Sequence, residues 1–110
     1  MLLSTDVWVS GLIRRAELDG AFATVVKKGD ARAGTVILKA YDTSTRTAKL
    51  YSTVTGPDGE PHWMQPVASE FEHELDAYIE RQRRYDPDLW VVEIEDRQGR
   101  HFLQEPVKDV

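Results

Sequence analysis

Apolar side chains recur at Val9, Leu12, Ile13 and Ala16 within residues 7–18. That is the i, i+3, i+4, i+7 stripe of an amphipathic helix, and Gly20 supplies a stop just beyond it. Residues 21–28 (AFATVVKK) and 35–41 (TVILKAY) are rich in β-branched and aromatic side chains at strand length. The five-residue link from Gly29 to Ala33 predicts that these two strands pair as a hairpin. Residues 47–54 set Ala48, Leu50, Ser52 and Val54 against Lys49, Tyr51 and Thr53, the alternation of a half-buried strand. Thr55 to Pro61 holds two Gly and two Pro, which predicts an exposed, mobile loop. His62 to Gln65 then reads as a short edge strand ended by Pro66.

Residues 70–84 carry the clearest helical signal, with Phe71, Leu75, Tyr78, Ile79 and Gln82 on one face. Ser69 and Glu72 have capping-box spacing at its start. Acidic side chains crowd the first turns and Arg81, Arg83 and Arg84 the last, which suits the helix dipole, and Asp86-Pro87 ends it. Residues 89–95 (LWVVEIE) form the strongest strand, with Trp90, Val92 and Ile94 on one face. Arg97-Gln-Gly99 predicts a turn into a short final strand at His101 to Leu103, and Pro106 to Val110 is expected to fray. The predicted fold is α+β: an antiparallel sheet of about four to six strands with two helices on one face, in the order α-β-β-β-(β)-α-β-β.

The length of 110 residues is that of one domain, residues 1–110, with an ordered core of about 5–104. Composition is that of an ordinary globular chain, 41% hydrophobic and 30% charged. No cysteine is present, which excludes disulfides and thiolate chemistry and suits a reducing compartment; a cytoplasmic location is expected. The N-terminus lacks a basic, then apolar, secretory signal, and no apolar run approaches the ~18 residues of a membrane helix. The net charge of −5 opposes broad affinity for nucleic acid or anionic membranes. It is unevenly spread: residues 1–55 hold 8 basic and 5 acidic groups, residues 56–110 hold 6 basic and 14 acidic.

Candidate chemistry narrows quickly. Gly29 and Gly34 have the spacing of a phosphate-binding loop, but the lysine of that motif is absent and the following TVILKAY favours a strand over the required helix. The remaining functional reading of this loop is a weak anion-binding nest of Gly29, Arg32 and Gly34, the basis of a small-molecule or anion sensor. Otherwise the two glycines serve a turn with positive φ. Glu70 and His73 have Glu-x-x-His spacing without a second copy, and Ala77 occupies the second histidine position of an HExxH pattern. His62, His73 and His101 share no ligand spacing, so neither a metal nor another cofactor is expected. No nucleophile elbow or dinucleotide fingerprint occurs, so no catalytic residue is assigned.

The segment Arg81 to Trp90 (RQRRYDPDLW) invites binding instead. Arginine forks recognise carboxylate or phosphate, and Tyr85 supplies an aromatic anchor. The predicted partner surface joins Arg14 and Arg15 to Arg81, Arg83, Arg84 and Tyr85, with Asp86 and Asp88 as competing internal partners of the arginines. A protein partner is expected, with single-stranded nucleic acid as the alternative, and edge strands leave homodimerisation open.

Three segments carry a resemblance: Trp8-Val-Ser-Gly-Leu-Ile-Arg-Arg15, Val25-Val-Lys-Lys-Gly-Asp30 with Ala33-Gly34, and Arg83-Arg-Tyr-Asp-Pro-Asp-Leu-Trp-Val-Val-Glu-Ile-Glu95. Over roughly residues 5–104 the chain resembles a family of small bacterial proteins called domain of unknown function 1491. The resemblance implies a stand-alone bacterial protein of this length and brings no activity, cofactor or catalytic residue with it.

Overall fold

The structure is a computed structural model that describes residues 3–108. Its elements are α1 (Thr5–Leu18), β1 (Phe22–Lys27), β2 (Val36–Asp42), β3 (Thr47–Thr55), β4 (Pro61–Met64), α2 (Glu72–Tyr85) and β5 (Trp90–Asp96). The strands form one sheet in the order β1-β5-β2-β3-β4. Three ladders are antiparallel, and β2 pairs with β5 in parallel. The fold is α+β, as the pattern of elements predicts.

β1 and β2 do not form the expected hairpin, because β5 lies between them and pairs with both. The reason is in the side chains of β5 and β2. Trp90, Val92 and Ile94 point to one side of the sheet while Val91 is equally buried on the other, and Val36, Leu38 and Ala40 oppose Ile37 in the same way.

 Strands apolar on both faces belong inside a sheet, with cover above and below.

That requirement also corrects the placement of the helices, which pack on opposite faces and not on one. On one face Trp8, Val9, Leu12 and Ala16 of α1 cover Val36, Leu38, Ala40, Val92 and Ile94. On the other, Leu75 and Ile79 of α2 cover Ile37, Leu50, Leu89 and Val91. α1 closes as the periodicity predicts: Gly20 adopts φ 86°, its amide donates to Glu17 O, and Ala21 N donates to Ala16 O at 3.0 Å. These are the two bonds of a glycine-terminated helix end.

The link from Gly29 to Gly34 crosses the start of β5. Neither glycine has a positive φ, contrary to the turn reading; both are small because there is no room for more. A Cβ at Gly29 or Gly34 would collide with Asp88 O and stand 2.6 or 2.7 Å from Trp90 Cδ1. The glycine-rich segment between β3 and β4 is a closed turn, with Gly56 N donating to Glu60 O at 2.9 Å.

The expected final strand at His101 to Leu103 is absent, since β5 has no free edge left to pair with it. Instead, Asp96 organises a turn. Its Oδ2 accepts from the backbone amides of Gln98 and Arg100 and from Arg100 Nε, and its Oδ1 from Arg100 Nη2 at 2.9 Å. The chain then runs along the α1 side, where Phe102 and Leu103 pack on the core. Glu105 accepts from both Trp8 Nε1 (3.2 Å) and Trp63 Nε1 (3.1 Å), whose rings stack at 5.2 Å. Fraying from Pro106 is likewise corrected for residues 106–108: Trp63 N donates to Pro106 O and Lys108 N to Trp63 O, both at 2.8 Å, along the edge of β4. The remainder of that expectation, 109–110, lies outside the described residues.

Two predictions follow from these contacts. Gly34→Ala is expected to destabilise the protein by about 2 kcal/mol or more through collision with Asp88 and Trp90, whereas Gly11→Ala, whose Cβ would meet only Arg15 Nη1 at 3.6 Å, is expected to stabilise it by about 0.5–1 kcal/mol through helix propensity. Thermal and urea unfolding of the two variants measures both signs. The hydrogen bonds from Arg100, outweighing burial, hold the Asp96 carboxyl down at about 2 against an ordinary 3.8. Its contribution is therefore complete above the ordinary value and lost as pH falls through the folded one. The stability gap between the wild type and Asp96→Asn should be flat near neutral pH and shrink toward pH 2 in urea unfolding curves.

Candidate interaction surface

The arginines expected to form one surface are divided by the sheet. Arg14 and Arg15 belong to α1, whereas Arg81, Arg83 and Arg84 belong to α2 on the opposite face. Arg15 is further committed inside the fold, its Nη2 donating to Phe102 O at 3.2 Å. Arg14 is exposed on the outer side of α1, beside Val7, Gly11 and Leu18. The single patch is thus corrected to an α2 patch, because the two-faced core places a sheet between the helices.

Within α2, Arg83 pairs with Glu80 at 3.3 Å and Arg81 lies over the Tyr78 ring at 5.9 Å. Arg84 is exposed and Tyr85 is 82% exposed at the helix end. Asp86 does not pair with the arginines among the described contacts; its Oδ1 accepts from Asp88 N at 3.0 Å and shapes the turn into β5.

The Gly29–Gly34 loop acts as a clamp. Asp30 O accepts from Trp90 Nε1 at 2.7 Å, and the carbonyls of Ala31 and Arg32 accept from the first amides of α1. Thr5 Oγ1 adds a bond to Gly34 O at 3.2 Å. The amide of Arg32, a residue of the expected anion nest, and that of its neighbour Ala33 already donate to the Asp30 carboxylate at 3.1 and 2.9 Å. A bound anion would have to displace a negative charge of the loop itself.

Residue-by-residue reading of the sequence missed Lys39. It projects from the middle of β2 beneath α2 and is 5% exposed. Its ammonium donates to Glu72 Oε2 at 2.7 Å and Asp76 Oδ1 at 2.8 Å, with Glu93 Oε1 at 3.9 Å. Burial pushes the ammonium pKa down, but the bonds to Asp76 and Glu72 and the charge of Glu93 outweigh it and raise the value above that of ordinary lysine. Burial raises Glu93 in turn, against the attraction of Lys39. The signal was a lone lysine within TVILKAY, a strand otherwise apolar on both sides.

Glu72 is consequently unavailable for the capping box. α2 starts at Glu72 with Phe71 as its cap residue and no side-chain cap bond, while Ser69 Oγ accepts from Phe71 N at 3.1 Å. The ion pairs to Lys39 take the carboxylate that the capping pattern had assigned to the backbone. Phe71, expected in the core, is left 64% exposed.

Between α2 and β1 the same face of the sheet is open. A cleft of about 240 Å³ is lined by Val26, Lys39, Asp76, Ile79, Arg83 and Glu93, among others. Beyond it, β1 turns Phe22 and Val26 outward, 63% and 47% exposed. Lys27 anchors the near end of β1 by donating to Pro87 O (2.8 Å) and Leu89 O (2.9 Å), so the ends of β1 and α2 meet there. The cleft combines an apolar wall, a buried cation held by carboxylates, and the Arg83 guanidinium at its mouth. Among the described residues, no group of three or more His, Asp or Glu side chains is placed to hold a metal ion.

The family model described as "Protein of unknown function (DUF1491)" matches residues 3–104. The chain belongs to the DUF1491 family. It is similar to a DUF1491 family protein from Caulobacter crescentus CB15, at 68% identity, in a crystal structure (TM-score 0.95, 97% of this chain and 100% of that one) and in an NMR structure (TM-score 0.92, 98% of each). It is also similar to protein Atu0922 from A. tumefaciens, whose solution structure has a TM-score of 0.82 at 32% identity over 98% of each chain. No curated protein matches it. Among the described residues of this DUF1491 protein, no helix is long and apolar enough to cross a membrane.

Removing the cation tests the site's electrostatics. Lys39→Met is expected to cost on the order of 2 kcal/mol at neutral pH, less than breaking a fully buried pair because Glu72 and Asp76 remain half exposed. Urea unfolding should show this cost narrowing on acidification, as protonation relieves the crowded carboxylates.

Proposed function

We propose that this DUF1491 protein is a non-catalytic protein-binding module whose contact surface is the open strip between α2 and β1. The observation that carries the reading is the uncovered part of the α2-side sheet face. Phe22 and Val26 stand exposed there, next to Arg83 and the α2 end that bears Arg84 and Tyr85. An apolar strip bordered by arginine and tyrosine has the make-up of a protein contact surface. Nucleic acid fits less well, since Glu93 and Glu95 lie on the same face as the strip and the whole chain carries −5.

The test reverses the charges at the mouth of the cleft. Arg83→Glu together with Arg84→Glu is expected to leave the unfolding midpoint within a few degrees of wild type, as surface changes do. Quantitative mass spectrometry of proteins retained by immobilised wild type and variant is expected to show a defined set lost from the variant. Retention of the same set by both would reject this surface.

A further inference from the structure

The two edges of the sheet are treated differently by the fold. β4 is bordered by the chain's own residues 106–108, whereas β1 has β5 on one side and no strand of the described chain on the other. An open edge carries a row of backbone donors and acceptors suited to another strand. The side chains on this edge are apolar at Phe22, Val25 and Val26, all exposed.

Charge is distributed along the edge with a direction. Glu17 and Asp19 precede β1, and Glu95 stands opposite Phe22 at that same end. Lys28 follows the other end, where Arg83 shares the cleft with Val26. An acidic end, an apolar centre and a basic end make a surface complementary to its own copy when the copy runs antiparallel. A strand of uniform charge would repel itself in that arrangement.

Resting on the protein-binding reading, we propose that one occupant of this surface is a second copy of the chain, which adds to β1 antiparallel about a two-fold axis at Thr24 and joins two five-stranded sheets into one. Directly opposed residues of an antiparallel pair share a face. Centring on Thr24 therefore sets Phe22 of each copy against Val26 of the other on the α2 side, and Ala23 against Val25 on the α1 side. Lys28 then comes to the end of the other copy that Glu17 and Asp19 precede. The irregular register between Val25 and Lys27 keeps the regular pairing short. The association is accordingly modest, with a dissociation constant on the order of 100 µM.

The absence of cysteine makes the axis directly testable. Thr24→Cys under mild oxidation is expected to yield a disulfide-linked dimer, while Ser10→Cys on exposed α1 yields little. Equal cross-linking of the two would overturn the assignment. Sedimentation equilibrium supplies the second measurement: Lys28→Glu and Asp19→Lys should each weaken association about tenfold, and the double variant should return to within about threefold of wild type. A wild type that stays monomeric to about 1 mM, or a double variant weaker than either single, would reject the proposal. These results are separable from the binding reading. A monomer that still loses partners on reversal of Arg83 and Arg84 rejects only the dimer, and a dimer whose retained proteins are unaffected by that reversal rejects only the cleft as the partner surface.

Discussion

The fold depends on enclosing β5. Its residues are apolar on both sides, so it must have a strand at each edge and a helix layer on each face, and each of those demands is met by a different part of the chain. The Gly29–Gly34 loop is shaped around the same strand: its glycines make room for Trp90 and Asp88, its carbonyl at Asp30 binds the Trp90 indole, and its next carbonyls cap α1. Because β5 is the last strand in the chain, the central pairings close only when the C-terminal third is present. The sheet is therefore dominated by non-local contacts, the kind of topology that folds slowly for its size.

Around this strand the two layers are secured by different chemistry. On the α1 side, the stacked indoles of Trp8 and Trp63 both donate to Glu105, so one carboxylate ties the first helix, an edge strand and the tail together. On the α2 side, Lys39 draws Glu72 and Asp76 onto the sheet. Such half-buried ion pairs add little net stability over a well-packed apolar substitute, but their directional bonds discriminate among positions of the helix. Here they engage Glu72, the first residue of α2, where no side-chain cap bond forms. They also leave α2 seated over β2 and β3, with the β1 side of that face exposed.

That asymmetry leads to the functional reading. A tail closes one edge of the sheet, while the opposite edge and its adjoining cleft present apolar side chains between an acidic and a basic end. The features of the α2 patch and those of β1 converge because the C-terminal ends of both elements meet at Pro87 and Leu89. The fold therefore regroups the arginines: Arg83 shares a cleft with Val26 of β1, and the sheet separates it from Arg14 and Arg15.

What the sequence by itself determined was local: the helical stripes ending at Gly20 and Asp86, the strand alternations, the break in regular structure at 55–61 and the α+β class. Periodicity and turn chemistry act over a few residues and need no knowledge of the partner strand. Tertiary structure decided the insertion of β5, the separation of the helices onto opposite faces, the use of Glu72 by Lys39 and the seating of residues 106–108 on β4. Each is a competition between distant groups for one edge, face or carboxylate. Lys39 shows the boundary well, since its place in an apolar strand was visible in the sequence, but the carboxylates that neutralise it come from 33, 37 and 54 residues away and meet only in the folded sheet.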